Sequence, residues 1–247
     1  MSTRLIHGRN PVLEALRAGT RLTRILIAAG SHGGVVEEIR RRAAAGGVRI
    51  ATASREEMEA LAPGILSQGV AAETAPREKP DAADLLAKAA GKGEKPFLLL
   101  LDGIQDPRNL GALVRTAECA GAHGVVIPRH HAASVTDAVV KSSAGATEHL
   151  PVAEVTNLVP VMEFLRNEGI WIVGLDPHAG RAYGELDYRM PLAVVVGSEG
   201  RGIRRLVRER CDYLVRIPLR GKIGSLNASV AGGIVLFEVA RTRSLSG

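Results

Sequence analysis

The stretch FLLLLDGIQDPRNLGALVRTAE, residues 97–118, decides the fold. Its opening residues form a nearly continuous apolar run, which is typical of a strand that is buried on both faces. The residues that follow repeat their apolar side chains at helical spacing. One face of this helix carries Leu110, Leu113, Val114 and Ala117. A buried strand that leads directly into a helix predicts a parallel α/β sheet.

Four further apolar runs of the same kind follow, and helical stretches separate them. They are HGVVIP (123–128), GIWIVGLD (169–176), LAVVVGSEG (192–200) and YLVRIP (213–218). Together they predict a parallel sheet with helices on both faces. Ligands of such sheets bind beyond the carboxyl ends of the strands. Three of the predicted strands lead there into polar segments that contain glycine: IQDPRNLG (104–111), GRGI (200–203) and LRGKIGSLN (219–227).

The N-terminal part of the chain has a different pattern. Residues 1–79 carry 12 basic and 8 acidic residues, a net charge of +4. Short helical and strand patterns alternate, which predicts a small α/β unit. The helices are PVLEALRAG (11–19), VVEEIRRRAAAG (35–46) and REEMEALA (55–62), and the strands are TRILIA (23–28) and VRIATA (48–53). Residues 78–96 are polar and rich in Ala, Lys, Gly and Pro, which predicts a linker, with room for one or two helical turns, between domains at 1–77 and 97–247.

The composition limits the kind of protein. Of the 247 residues, 46% are hydrophobic, and neither a membrane-length apolar run nor the apolar segment of a secretory signal is present. Two cysteines are too few for a disulfide framework and lack metal-ligand spacing. We therefore expect a soluble cytoplasmic protein without a metal. The net charge of +6 and the 26 arginines among 32 basic residues suggest a polyanionic partner, although GC-rich coding also favours arginine.

The segments at the strand ends each allow two interpretations. In one interpretation, Asn109 caps the helix and Arg115 is solvated. In the other, both side chains face the crevice at the carboxyl ends of the strands. Gly197 and Gly200 make a tight turn or let the backbone approach a ligand beside Glu199. The helix after them is expected to bury Ile203, Leu206 and Val207 and to display Arg204, Arg205 and Arg208, as a solvated or a phosphate-binding face. The pair His130-His131 has no third ligand nearby and is interpreted as loop polarity.

The stretch KIGSLNASVAGGIVLFE, residues 222–238, has more polar residues than a helix cap needs. Ser225, Asn227 and Ser229 precede a helix whose apolar face is predicted to contain Val230, Ile234 and Phe237. The segment SLNAS is therefore either a cap alone or part of a site.

These three motifs resemble the signature of the SpoU/TrmH family of SPOUT RNA methyltransferases. The matching residues are Asn109…Arg115-Thr116, Gly197-Ser198-Glu199-Gly200 and Ile217-Pro218…Ser225-Leu226-Asn227-x-Ser229, within residues 97–247. The N-terminal segment, with HGRNPVLEAL at 7–16, resembles the ribosomal-protein-like RNA-binding domain of many members. The His-Gln-Gly turn that is common there is Ser67-Gln68-Gly69 in this chain. The two-domain layout is most like the RlmB type, which methylates a guanosine ribose in large-subunit ribosomal RNA.

The resemblance implies a deep trefoil knot in the sheet domain, a homodimer, and methyl transfer from S-adenosylmethionine to a ribose 2′-hydroxyl without metal. It implies that Arg115 is essential, either in moving the proton or in holding phosphate and the developing alkoxide charge. Asn109 and Glu199 would orient Arg115 and the ribose, and Ser225 and Asn227 would position the nucleotide or the cofactor. The implied cofactor-binding residues are Gly197, Ser198, Gly200, Ile217, Leu219 and Leu226.

Three alternatives stay open. A transfer RNA 2′-O-methyltransferase of the same family is the first, and the separate N-terminal domain favours ribosomal RNA over it. A non-catalytic RNA-binding protein of ribosome assembly is the second, and it would have no need of Asn109, Arg115, Glu199 and Asn227 together. A Rossmann oxidoreductase is the third, but the order Gly-x-x-Gly-x-Gly is not its fingerprint, and there is no P-loop.

Overall fold

The structure is a computed structural model, and it describes residues 4–61, 68–74, 80–130, 132–133 and 135–244. Ser67 of the Ser67-Gln68-Gly69 turn and His131 of the histidine pair lie outside these residues. The chain divides into two compact units, one from residues 1–78 and 136–149 and the other from residues 79–135 and 150–247. In the described part of the chain, no helix is long and apolar enough to cross a membrane.

The first unit contains a four-stranded sheet in the order β1-β4-β2-β3. The strands are β1 (Arg4–His7), β2 (Leu22–Ala28), β3 (Ile50–Ala53) and β4 (Val70–Thr74). Helices α1 (Arg9–Arg17), α2 (Gly34–Ala45) and α3 (Arg55–Leu61) connect them. The predicted helices and strands of this unit are confirmed. Strands β1 and β4, which pair with each other antiparallel, were not predicted.

A segment from the middle of the chain completes the first unit. It contains helix α6 (Asp137–Ser142) and a 3₁₀ turn at Ala146–Glu148. The Thr20 hydroxyl donates to Oε2 of Glu148 at 3.0 Å, and His149 Nε2 lies 2.8 Å from Oε2 of Glu14. The domain boundaries given above remain a prediction, and residues 136–149 fall outside the segment 1–77 that they assign to this unit.

The second unit is built on a seven-stranded parallel sheet in the order β7-β6-β5-β10-β8-β11-β9. Its strands are β5 (Phe97–Asp102), β6 (Gly124–Pro128), β7 (Val152–Val155), β8 (Trp171–Leu175), β9 (Arg181–Ala182), β10 (Leu192–Gly197) and β11 (Tyr213–Arg216). Its helices are α4 (Ala82–Gly91), α5 (Pro107–Cys119), α7 (Leu158–Asn167), α8 (Arg205–Glu209) and α9 (Ala228–Ser244). The predicted parallel sheet flanked by helices is confirmed, whereas the trefoil knot stays a prediction.

Helix α4 lies within the segment 78–96 that was predicted to be a linker. Asp81 and Asp84 form a capping box at its start, so that each carboxylate accepts from the other residue's backbone N–H. Leu85 is fully buried in the core on one face of the sheet, with Leu98 and Leu100 of β5. The described part of the segment is therefore a packed helix of the second unit.

Helix α9 packs closely against α5 and β10 on the opposite face of the sheet. A Cβ added at Gly232 would lie 2.5 Å from Cδ2 of Leu113 and 3.3 Å from Cγ2 of Val196, so a larger residue there would force the helices apart. The buried residues of α9 are Ala228, Gly232, Val235, Leu236 and Val239. The apolar face predicted from Val230, Ile234 and Phe237 is not the packed face, because Val230 and Phe237 are 50% and 53% exposed. Leu206 of α8, also predicted to be buried, is 56% exposed.

The far end of α9 is fixed by Arg243. Its guanidinium donates to the carbonyls of Lys95 (2.7 Å), Pro96 (2.9 Å), Met190 (2.8 Å) and Tyr188 (3.2 Å). The guanidinium also lies over the Phe97 ring, with Cζ 5.2 Å from the ring centroid. Because these carbonyls precede β5 and β10, this one side chain fixes the helix to the amino ends of both strands.

Candidate active site

The candidate site lies at the carboxyl ends of the neighbouring strands β5 and β10. These strands are paired in register through their last residues, Asp102 and Gly197, so the loops that leave them begin side by side. Between the loops is a pocket of about 620 Å³. Its walls are formed by residues 102–106 and Asn109 on one side and by Ser198, Glu199, Arg201 and Arg204 on the other.

Helix α5 is capped by Asp106, so the interpretation of Asn109 as its cap was wrong. The Asp106 carboxylate accepts from the backbone N–H of Arg108 at 2.8 Å, and Pro107 occupies the first turn. Asn109 therefore lies inside the first turn, and its side chain is available for contacts across the crevice.

Three of the predicted site residues form one hydrogen-bonded cluster. Asn109 Nδ2 donates to Oε1 of Glu199 at 2.7 Å. Asn227 Nδ2 donates to the same carboxylate oxygen and also lies 3.2 Å from Oδ1 of Asn109. The cluster joins three loops that are far apart in the sequence, and it fixes the orientation of the Glu199 carboxylate.

Asn227 also caps helix α9. Its Oδ1 accepts from the backbone N–H groups of Ser229 (2.9 Å) and Val230 (3.3 Å) and from the Ser229 hydroxyl (2.6 Å). The amide oxygen thus caps the helix, whereas the amide nitrogen binds Glu199. The cap interpretation of SLNAS is therefore confirmed, and the contact with Glu199 is more than a cap requires.

Glu199 lies in a closed turn at 198–202. The backbone of Ser198 and that of Gly202 exchange two hydrogen bonds, of 3.1 and 2.9 Å. A Cβ added at Gly197 would lie 2.1 Å from the carbonyl carbon of Gly202, so only glycine fits there. Gly200 at the tip has a φ of +77°, which other residues rarely adopt. The glycines thus make the turn that presents Glu199.

Asp102 is a structural residue of this site that the sequence interpretation missed. Its carboxylate is fully buried and accepts from the backbone N–H of Arg204 at 2.7 Å and from Nε of the same residue at 2.6 Å. The contact fastens the loop after β10 to the end of β5. The sequence did indicate such a role, because Asp102 ends an apolar strand. A carboxylate buried there needs a partner.

Arg115 is exposed on α5, and it makes no hydrogen bond or ion pair with the other described residues. Six residues are about one and two-thirds helical turns, so Arg115 and Asn109 point in directions about 120° apart. The structure therefore does not bring Arg115 to the Asn109–Glu199–Asn227 cluster, and its role stays a prediction.

The loop from Ile217 to Asn227 exposes the remaining predicted residues. Leu219 and Leu226 are partly exposed apolar side chains, and Ile223 between them is almost fully exposed. Ser225 is exposed and makes no hydrogen bond with the rest of the described chain. A Cβ added at Gly221 or Gly224 would meet nothing within 4 Å. Among the described residues, no group of three or more His, Cys, Asp or Glu side chains could hold a metal ion.

Comparisons with known proteins identify the family of both parts of the chain. Residues 96–237 match the family model described as the SpoU rRNA Methylase family. Residues 5–80 match the model described as RNA 2′-O ribose methyltransferase substrate binding.

Relatives match over nearly the whole chain. YacO of Bacillus subtilis, named as a TrmH family tRNA/rRNA methyltransferase, is 43% identical over 96% of this chain and 95% of its own length. An uncharacterized tRNA/rRNA methyltransferase of Mycobacterium sp. (strain KMS) is 44% identical over 98% of this chain and 77% of its own. The crystal structure of the SpoU methyltransferase AviRb from Streptomyces viridochromogenes, in complex with the cofactor AdoMet, has a TM-score of 0.81 at 27% identity, covering 99% of this chain and 92% of that one. The resemblance inferred from three short motifs is therefore confirmed, and the chain belongs to the SpoU/TrmH family of RNA methyltransferases.

Proposed function

We propose that this protein methylates a ribose 2′-hydroxyl of RNA with S-adenosylmethionine, and that its substrate is a guanosine in large-subunit (23S) ribosomal RNA. The observation that carries the proposal is the Asn109–Glu199–Asn227 cluster at the rim of the pocket. A carboxylate that two amides from distant loops hold in one orientation suits a reaction that must place a ribose hydroxyl. Family membership supports methyl transfer as the reaction.

The cofactor fits the loops after β10 and β11. AviRb, which matches this chain over nearly its whole length, was crystallised with AdoMet. In this chain the loop 217–227 offers exposed backbone groups and partly exposed apolar side chains at Leu219 and Leu226, a combination that suits an adenosyl group. S-adenosylmethionine, when bound, supplies an electrophilic methyl group.

The protein side chains orient the acceptor ribose. Both amides of the cluster bind Oε1 of Glu199, and Oε2 has no partner among the described residues. That oxygen is available to accept a hydrogen bond from a ribose hydroxyl. Arg115 is assigned to the attacking hydroxyl or its neighbouring phosphate. Since a guanidinium is almost always protonated, stabilising the developing alkoxide charge is the simpler role for it.

A homodimer in the cytoplasm is part of the proposal. Val230, Ile234 and Phe237 form an apolar stripe on α9, and the first and last of them are half exposed. Contiguous exposed apolar side chains of this kind mark interfaces, and a two-fold dimer would cover the same stripe on both copies.

Methyl transfer from labelled S-adenosylmethionine tests the proposal directly. The full-length protein is incubated with unmodified 23S ribosomal RNA and, separately, with transfer RNA, and the labelled nucleotide is mapped. We expect one labelled ribose in 23S RNA. Labelling of transfer RNA alone would favour the alternative substrate, and RNA binding without any labelling would favour the non-catalytic alternative.

A further inference from the structure

The segment after β10 contains five arginines within ten residues, and four of them have acidic partners. Arg204 binds Asp102, Arg205 binds Glu209, Arg208 binds Asp176, and Arg210 binds Glu163. The three arginines that the sequence suggested as a phosphate-binding face, Arg204, Arg205 and Arg208, are thus neutralised within the protein.

Arg201 differs from these four arginines in both contacts and position. It is exposed, it lines the pocket, and it makes no hydrogen bond or ion pair with any other residue that the structure describes. The other two arginines near the pocket are occupied, since Arg204 binds Asp102 and Arg108 binds Asp106. Among the described residues that line this pocket, Arg201 is therefore the cation that is free to bind an anion.

The backbone around Arg201 is fixed, so the residue has a defined place relative to the cluster. Arg201 lies in the closed 198–202 turn, two residues after Glu199. Glu199 is itself held to α5 and to the start of α9 by Asn109 and Asn227. The backbone from which Arg201 projects is thus fixed relative to that of Glu199.

We infer that Arg201 binds the RNA phosphate on the 3′ side of the methylated nucleotide. This inference rests on the proposed function. The 2′-hydroxyl and the 3′-phosphate leave adjacent carbons of one ribose, so holding the phosphate at Arg201 places the hydroxyl near the Glu199 carboxylate. A guanidinium suits this task because its planar fork binds phosphate oxygens in pairs. Arg201 is then a substrate-positioning residue, distinct from Arg115.

The test compares Arg201→Ala and Arg201→Lys with the matched control Arg205→Ala. Arg205 is an exposed arginine four residues further on, and it is paired with Glu209 outside the pocket. Both alanine variants remove one positive charge. We expect Arg201→Ala to weaken RNA binding roughly ten- to a hundredfold, the contribution of hydrogen bonds to a charged group. Arg205→Ala should stay within about twofold of wild type.

Salt dependence supplies a readout that a structural role would not change. The slope of log affinity against log salt should fall by about 0.7 to 1 for Arg201→Ala, the loss of one phosphate contact. Arg201→Lys should keep most of the slope, since it keeps a point charge, while it loses part of the affinity and of kcat/KM. Binding of S-adenosylhomocysteine and the melting temperature should not change in either variant.

Equal effects of Arg201→Ala and Arg205→Ala on affinity and salt slope would overturn the inference, as would a wild-type slope for Arg201→Ala. If the wild-type protein binds RNA but transfers no methyl group, the proposed function fails and with it the placement beside a methylated nucleotide, whereas the binding comparison still decides whether Arg201 contacts an RNA phosphate. If the wild-type protein does not bind RNA, both fail.

Discussion

Asn109 Nδ2 donates a 2.7 Å hydrogen bond to Oε1 of Glu199, although the two residues lie 90 positions apart in the chain. Asn109 comes from the first turn of α5, and Glu199 from the turn after β10. Asn227 adds the start of α9 to the same carboxylate. The Glu199 carboxylate, which the proposed reaction needs as a hydrogen-bond acceptor, is thus oriented before the substrate binds. Catalysis of this kind depends on such preorganisation.

The two functions of Asn227 can be separated by substitution. Asn227→Ser keeps a side-chain oxygen for the α9 cap and removes the amide that binds Glu199, whereas Asn227→Ala removes both. We expect Asn227→Ala to lose about 1 kcal/mol of unfolding free energy and Asn227→Ser to lose much less. Both should lose methyl transfer by about 10²-fold or more, because Glu199 is released. Urea unfolding and single-turnover assays measure the two effects. Methyl transfer at the wild-type rate by Asn227→Ser would show that Asn227 acts only as the cap of α9.

Arg243→Lys should destabilise the fold. A lysine ammonium cannot reach the four carbonyls that the guanidinium fork binds, and buried acceptors without partners cost about 1–3 kcal/mol each. We expect a loss of roughly 2–4 kcal/mol in urea unfolding. Arg241→Lys is the matched control, since Arg241 is two residues earlier, is largely exposed and, among the described residues, is paired only with Glu238. That variant should stay within about 0.5 kcal/mol of wild type. Similar losses in both variants would show that Arg243 is not the fixing contact.

The sequence predicted the fold wherever a strand was long and apolar. It missed the short strands β1, β4, β7 and β9. In β4, VAAET, alanine and glutamate are poor strand formers, and the two residues of β9 are too few to show an alternating pattern. The helix of α9 was predicted, but its packed face was not. Periodicity shows that Val230 and Phe237 share a face, whereas the side that packs is decided by Gly232 and its fit against Leu113.

The three residues of the hydrogen-bonded cluster could be named from the sequence, but their geometry could not. Motif resemblance identified Asn109, Glu199 and Asn227, but hydrogen bonds between distant loops leave no local pattern in one sequence. The cap interpretation of Asn109 could have been excluded from the sequence, because Asp106 is followed by Pro107, the residue favoured in the first turn of a helix. The ion pair of Arg205 with Glu209, four residues later on the same helix, could have been predicted from the sequence. The partners of Arg204 and Arg208, which are Asp102 and Asp176, are far away in the sequence and come close only in the folded chain.

The stability should fall in mild acid through His123. This side chain is fully buried, with Nδ1 accepting from the Phe97 N–H at 3.1 Å and Nε2 3.1 Å from Glu94. Burial lowers the pKa of His123 below 6.5, although the hydrogen bond to Glu94 partly opposes it. As the pH falls, His123 is protonated in the unfolded chain before it is protonated in the folded protein. The contribution of the neutral imidazole to the free energy of unfolding is therefore complete above about pH 6.5 and is lost as the pH falls towards the folded pKa.

The matched variant for this effect is His123→Asn, whose amide oxygen can still accept from Phe97. Between pH 7.5 and pH 5.5, the free energy of unfolding in urea should fall more for the wild type than for His123→Asn. Equal losses in the two proteins would mean that other groups cause the acid sensitivity.

The exposed stripe on α9 predicts that Phe237→Asp shifts a dimer to monomers. A carboxylate in the centre of an apolar interface would have to be desolvated without a partner. Sedimentation of the wild type and the variant measures the change, and the melting temperature of the monomer should fall if the dimer stabilises the fold. Thr242→Asp lies on the same helix, five residues further on, and serves as the control. A monomeric wild type would contradict the proposed dimer.

Arg115 provides the decisive substitution for catalysis. Its guanidinium is exposed and unpaired within the described chain, so the fold does not depend on it. Arg115→Lys keeps the charge and loses the planar fork that can hold a phosphate and a hydroxyl together. We expect single-turnover methyl transfer to fall by about 10²–10³ in both Arg115→Lys and Arg115→Ala. Affinity for S-adenosylhomocysteine should change little, since the cofactor is assigned to the loops after β10 and β11, and the thermal melts should overlay that of the wild type. Transfer at the wild-type rate by both folded variants would remove Arg115 from the mechanism and leave Glu199, held by Asn109 and Asn227, as the group that acts on the ribose.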